Sequence, residues 1–328
     1  MENFQEAQKL QVLGKMPESI QENALPLFVQ NRALRMVKFL ISTVFYLLRL
    51  AFRALSRLLG QRQPSSAVSI YYHQVFPEQR ARFARQMDYL QRLTEPIRAD
   101  RTEPLRAGVR YAMVTTDDGW SSFVENALPE MRARNIPVTI FVIAGRLGDS
   151  MGEAADHIMS DTELRALAPD LASGLVTIGS HTSTHACLTT LNRSDAWREV
   201  TESRARLEQV LDRTVNLFCF PFSMENAEAV ELCRAAGYER VFGGRPAPAL
   251  RDPHEYLIGR MRADPDDGMF EFHLKLMGAY DWVPFAADLK RRIFETLGRH
   301  RRRMGSLKQQ RPIVAADGLE HLGQTLPP

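Results

Sequence analysis

Two short segments carry most of the chemistry-bearing side chains of this chain. Thr115-Thr116-Asp117-Asp118-Gly119-Trp120 closes one apolar run, and Gly179-Ser180-His181-Thr182-Ser183-Thr184-His185 closes another. Two adjacent carboxylates and an i, i+4 pair of histidines supply a divalent-metal site with one carboxylate to spare. Asp and neutral His are oxygen and nitrogen ligands that suit Zn²⁺ and similar borderline ions. Three protein ligands leave positions open for water and substrate, whereas a closed structural site would recruit a fourth. Successive side chains at a strand end point in different directions. One Asp can therefore ligate while its neighbour takes a proton from bound water, with the metal also polarising a carbonyl.

Both segments need elements that bring them together. The Asp pair follows a strand expected over Tyr111–Thr115, and the His pair one expected over Leu175–Gly179. Further strands are expected at Ala67–Tyr72, Val138–Ile143, Asn216–Phe220 and Arg240–Phe242. Helices are expected at Glu78–Leu93, Ser121–Asn135, Asp161–Leu167, Ser194–Leu211 and Glu225–Ala236, the last stopped by Gly237. Such alternation argues for parallel strands in a barrel or a doubly wound sheet, folds that build active sites at the carboxyl ends of strands. At the histidine spacing a single helical turn would aim both imidazoles the same way.

The chain has 328 residues, a net charge of +3 and an ordinary apolar fraction of 45%, enough for one large α/β domain with extensions or for two small domains. Three cysteines, Cys187, Cys219 and Cys233, form no metal-like spacing and exclude a disulfide framework. Each reads as a small buried hydrophobe, with Cys187 the one expected nearest the site. Residues 1–30 are polar and mixed. Basic residues crowd from Arg32 to Arg62 and from Lys290 to Arg311.

The charge-free stretch between Lys38 and Arg49 is about ten residues, against the roughly twenty that a spanning helix needs. At helical spacing Arg35, Lys38, Arg49, Arg53 and Arg57 form one stripe on a surface otherwise of Leu, Phe, Ile and Val. That pattern predicts a helix in a membrane interface with its cations at the headgroups. A helix packed on the domain with a solvated basic face competes, as does an uncleaved signal-anchor with snorkelling cations. No small-residue cleavage site follows the apolar run. The expected localisation is membrane-associated, peripheral or signal-anchored. Residues 61–66 read as a linker. The basic stretch 289–303 carries no recognition motif for nucleic acid, so no nucleic-acid partner is expected.

With both motifs in place, the chain resembles the polysaccharide deacetylase family with the NodB-homology domain, over about residues 67–280. Thr116-Asp117-Asp118-Gly119 matches the first family motif, with Thr116 where Phe is more frequent, and the segment His181 to His185 matches the second. The segments 126–131 and 135–145 are also family-like. The resemblance implies a distorted (β/α)7 barrel of the NodB-homology type, here with N- and C-terminal amphipathic helical extensions. It implies that Asp117 is the general base and that Asp118, His181 and His185 hold the metal. The ligand types favour Zn²⁺ there, with Co²⁺, Ni²⁺ or Mn²⁺ as alternatives. The expected division is an N-terminal extension over 1–62, a catalytic domain over 63–280 and a basic tail over 281–328.

The third motif departs. Phe218-Cys219-Phe220-Pro221-Phe222-Ser223 keeps the family's Pro-aromatic pair and lacks the Arg that orients the base, so the group that tethers Asp117 is left open. Trp120, Pro221 and Phe222 are expected to wall the substrate pocket. The late motif with a general-acid His has no counterpart, and His254 reads as surface. Resemblance to branches with a Tyr-His sequence at the first strand points instead to His73, which would protonate the leaving amine. The implied activity is removal of an N-acetyl group from an amino sugar, in a polysaccharide or lipid-linked glycan at a membrane surface. Its rivals are deformylation or O-deacetylation of a lipid-linked sugar, and a catalytically silent glycan-binding or scaffold protein.

Overall fold

Short apolar runs separated by amphipathic segments become parallel strands covered on both faces. The computed structural model describes residues 32–61, 64–150 and 156–289. In chain order the elements are α1 (Arg32–Leu58), β1 (Ser66–Tyr72), α2 (Arg80–Leu93), β2 (Glu95–Pro96), β3 (Arg110–Thr116), α3 (Ser121–Asn126) and α4 (Leu128–Arg134). They continue as β4 (Val138–Val142), α5 (Asp161–Ala166), α6 (Ala168–Ser173), β5 (Val176–Ser180), α7 (Arg193–Leu211), β6 (Leu217–Cys219) and α8 (Ala227–Ala235). The last are β7 (Arg240–Phe242), β8 (Leu257–Ile258), β9 (Met261–Arg262) and α9 (Met269–Leu276). These elements belong to the unit Met1–Pro284, and Phe285–Pro328 forms a second unit. The polar stretch 1–30 and the basic tail from 290 onward lie outside the described residues.

The strand order is β8-β7-β6-β5-β4-β3-β1-β9, every pairing parallel, with β2 added beside β3. All but the first residue of β1 and of β3 are buried, as parallel strands with both faces covered should be. β8 and β9 lie at opposite ends of this order, yet only Gly259 and Arg260 separate them in sequence. The run 257–262 is thus one interrupted strand that crosses the seam of a curled sheet. Counting it once gives seven strands in the ring, so the distorted (β/α)7 barrel is what the chain forms.

Differences from expectation are local. β2, β8 and β9 are two residues each, too short for any periodic signal. The helix expected over Ser121–Asn135 is two helices, because Pro129 in the first turn of α4 has no N–H for the preceding turn. Ser160 caps α5 through the Glu163 amide, and Asn192 caps α7 through the Asp195 amide.

α1 forms where the basic stripe predicts a helix, but its cations are not all free for headgroups. Arg35 and Arg49 turn onto carboxylates of the domain, and the apolar side faces outward.

The seam is tight at Gly259. A Cβ there would collide with the Arg245 carbonyl oxygen and stand 2.9 Å from the Ala247 Cβ. Gly259→Ala is expected to cost roughly 1–3 kcal/mol, the usual toll of overpacking, read as a lower denaturation midpoint. A variant as stable as the parent shows instead that the crossing is loose.

Candidate active site

The Asp pair leaves β3 through a turn that the residue types permit. The Asp117 amide donates to the Tyr72 carbonyl at 3.1 Å, and Asp118 and Gly119 then take left-handed φ of 71° and 82°. Asp tolerates that region better than most residues and Gly without cost. The His pair leaves β5, the neighbour of β4, with the His181 amide on the Val142 carbonyl at 2.9 Å.

No helical turn follows β5, contrary to the spacing argument. The imidazoles converge because Thr182 and His185 both take φ of 66°. Glu199 on α7 holds this loop by accepting from the Ser183 and Thr184 amides at 2.9 Å each and from the Thr184 hydroxyl at 2.7 Å. The rings of His181 and His185 lie 5.1 Å apart.

The donor set fits a metal. Nitrogen and oxygen atoms of Asp118, His181 and His185 lie within 4.8 Å of one another. Asp118 Oδ1 is buried without a hydrogen-bond partner, 3.5 Å from His181 Nε2 and 3.3 Å from His185 Nε2. An orphaned buried carboxylate oxygen costs free energy unless something else satisfies it. The other oxygen, Oδ2, accepts from the Trp120 indole N–H at 3.0 Å. His181 Nδ1 lies 2.9 Å from the Cys219 carbonyl, which can only accept, so the ring proton sits there and Nε2 presents a lone pair to the cluster. Burial, and then the neighbouring His181, push the His185 pKa well down, which keeps that imidazole neutral and able to ligate.

A second cluster of possible ligands, Asp117 with His181 and Cys219, is the weaker one. Burial holds the Cys219 thiol pKa well up, and Asp117 is already engaged.

Asp117 is engaged by Arg260, the residue that the sequence reading missed. Arg260 Nη1 donates to Oδ1 at 2.7 Å and Nη2 to Oδ2 at 2.8 Å. The remaining guanidinium donors go to the Gly243 carbonyl at 3.1 Å, the Thr115 hydroxyl at 2.9 Å and the Cys219 sulfur at 2.8 Å. All five N–H groups are used. Tyr71 stacks on the guanidinium at 4.4 Å and Phe141 lies at 5.4 Å. Burial alone would raise the Asp117 pKa, but the Arg260 charge and hydrogen bonds hold it well below the usual carboxylate range. Cys219, two residues before Pro221, has a small side chain, and the guanidinium arriving from the seam reaches its sulfur. Nothing local in Arg260-Met261-Arg262 announces this.

His73 follows β1, with its carbonyl accepting from the Thr116 hydroxyl at 2.9 Å and its ring 5.6 Å from that of Tyr71. Burial lowers its pKa to about 4, against the opposing pull of the Asp118 charge. Of the three residues expected on a pocket wall, Trp120 and Pro221 are buried, and Trp120 supports Asp118 from behind. Phe222 alone keeps exposed surface, its ring 4.6 Å from His185 on a backbone of φ 59°. Cys187 touches Thr189 and Met224, so the cysteine beside Asp117 is Cys219. His254 is exposed, as expected.

Residues 106–241 match the family model for polysaccharide deacetylase. YxkH of Bacillus subtilis, whose name places it among polysaccharide deacetylases, is 23% identical over half of this chain, which covers 55% of that relative's length. The fold is also that of IcaB from Ammonifex degensii, at a TM-score of 0.56 and 23% identity over 66% of this chain and 98% of that one. The Streptococcus pyogenes deacetylase PplD, solved with acetate, has the same fold at a TM-score of 0.51 and 16% identity, over 66% of this chain and 98% of its own.

Proposed function

The chain carries a polysaccharide deacetylase domain of the NodB-homology family, and from that premise we propose that it is a metal-dependent amide hydrolase. It removes the N-acetyl group of an amino sugar, in a polysaccharide or lipid-linked glycan, at a membrane surface. The observation that carries this reading is the orphaned Asp118 Oδ1 facing two imidazole nitrogens, with a clamped carboxylate beside it.

Asp118, His181 and His185 would hold the ion, Zn²⁺ by the nitrogen and oxygen character of the set. A metal bound there supplies Lewis acidity and lowers the pKa of water. Asp117 accepts a proton from the attacking water. Its low pKa makes it a weak base, which suits a group that must give the proton up again. His73 rests neutral, with its pKa near 4. It must therefore gain a proton after the water loses one before it can pass one to the departing nitrogen. Cleavage of the amide C–N bond then yields acetate and the free amine. Phe222 offers an apolar face to the sugar or the acetyl methyl.

The decisive experiment is mass spectrometry of acetylated amino-sugar oligomers after incubation with zinc-loaded protein, scoring loss of acetyl from nitrogen. Loss confined to O-acetyl esters redirects the assignment to an esterase. Asp118→Ala is expected to lower zinc affinity by more than the 10–100-fold typical of losing an outer-shell partner, measured by elemental analysis after dialysis. Turnover should fall in parallel. Full zinc occupancy in that variant places the metal elsewhere.

A further inference from the structure

We propose that α1 lies flat in the interface of an anionic bilayer while docked to the catalytic domain, so that the barrel mouth opens along the membrane plane. This rests on the membrane reading above and makes it specific: the helix is an in-plane float rather than a spanning anchor, and the substrate is a saccharide held at headgroup level.

The two faces of α1 have separate partners. Along one stripe Arg35 bonds Asp267 at 3.1 Å and Glu271 at 2.9 Å, and the Ser42 hydroxyl accepts from the Trp282 indole at 2.9 Å. On the same stripe the Tyr46 hydroxyl lies 2.9 Å from His273 Nε2, and Arg49 donates to the Gly278 carbonyl at 2.8 Å and to Asp281 at 3.1 Å. These positions are spaced by seven, four and three residues, one side of a helix. On the opposite side Leu40, Val44, Leu47, Leu48, Phe52 and Leu55 are each 55–70% exposed. Phe270 of α9, 50% exposed and edge-on to Phe39, extends the apolar surface. A continuous exposed face of this size calls for a partner.

Charge identifies the partner. α1 holds no Asp or Glu, and Lys38, Arg53 and Arg57 form no ion pair among the described residues. Lys38 and Arg57 flank the apolar face on either side, where snorkelling ammonium and guanidinium groups meet anionic headgroups. By length and hydropathy α1 is capable of crossing a membrane. Its contacts oppose that. Arg35 and Arg49 sit about 21 Å apart along the axis, and both are clamped to the domain. Spanning would pull Arg35 from Asp267, whose side chain is 1% exposed.

The orientation follows from the two ends of α1. Arg35 meets the loop after β9, on the side where the strands end and the site lies. Arg53 lies near Arg110, the first residue of β3, and helps burial depress the Arg110 pKa. α1 therefore runs along the barrel wall against the strand direction, and a helix in the membrane plane lays the barrel axis in that plane too.

The test is flotation of the full chain with phosphatidylcholine vesicles, with and without phosphatidylglycerol, beside a Leu40→Glu/Leu47→Glu variant. The parent should float with the anionic vesicles, be released by alkaline carbonate, and bind about tenfold more than the variant, a difference of about 1.4 kcal/mol. Turnover of a soluble oligosaccharide should be equal in the two, which checks the hydrolase reading separately. Equal flotation on neutral vesicles overturns the anionic assignment. Retention after carbonate overturns the in-plane geometry and leaves membrane binding intact. A soluble parent that sediments as a dimer, with the variant a monomer, overturns both and gives the face to a second copy.

Discussion

Asp117→Asn is expected to lower kcat by about 10²–10⁴-fold, the usual worth of a positioned general base, with KM and zinc content close to those of the parent. The amide keeps the shape of the carboxylate and cannot take a proton at neutral pH. It also disturbs Arg260, which donates to both Asp117 oxygens. An amide offers one acceptor there and turns its NH₂ toward a guanidinium N–H. Some loss of stability therefore accompanies the loss of rate, so the melting temperature and bound zinc must be read on the same preparation. A folded, zinc-loaded variant with parental turnover removes Asp117 from the base role. If the zinc-loaded parent is itself inactive on N-acetylated oligomers, the silent-scaffold reading gains the ground instead.

Two departures favour that rival, the missing Arg of the third motif and the unassigned general acid, and the seam weakens the first. The tether is present as Arg260, more than a hundred residues from the base in sequence. A protein with no chemistry to do has little reason to bury a guanidinium with all five donors committed around one carboxylate. Buried ion pairs are seldom net stabilising, because desolvation offsets the attraction. The Arg260–Asp117 pair is better understood as orienting a reactive group.

The cluster of Asp118, His181 and His185 was legible because each of them follows an apolar run that must be a strand, and strand ends of one parallel sheet share a face. Arg260 was not legible. β8 and β9 are two residues each, and only closure of the curled sheet brings their junction over β3. The histidine loop shows the limit of spacing arguments. An i, i+4 separation suits a helical turn, yet left-handed Thr182 and His185 reach convergence by another route. α1 shows a similar limit. Periodicity defines two faces but not which one meets the domain, since Asp267, Glu271 and Asp281, which claim Arg35 and Arg49, lie at the far end of the chain. The resting charge of His73 likewise depends on its burial in the folded site.

Arg260→Met is expected to cost about 3–5 kcal/mol at neutral pH, the range for leaving one partner of a buried ion pair alone. The sign of its pH dependence follows from Asp117. In the parent, the depressed folded pKa contributes stability that is present above the ordinary carboxylate pKa of about 3.9 and is lost as pH falls through the folded value. Without the guanidinium, burial dominates and the Asp117 pKa rises. The stability gap between parent and variant should then be widest near neutrality and shrink in acid, where the variant's carboxyl is protonated and no longer a buried lone charge. The acid limb of kcat/KM should move to higher pH for the same reason. Arg260→Lys separates charge from positioning. An ammonium restores the positive charge, but one nitrogen with three donors cannot serve both Asp117 oxygens, the Gly243 carbonyl and the Thr115 hydroxyl. Its acid limb should lie near that of the parent while kcat stays low, because Asp117 is ionised but free to turn. If the Lys variant recovers parental kcat, charge alone is the function of Arg260, and if the Met variant keeps the parental pH profile, the guanidinium does not set the protonation of the base.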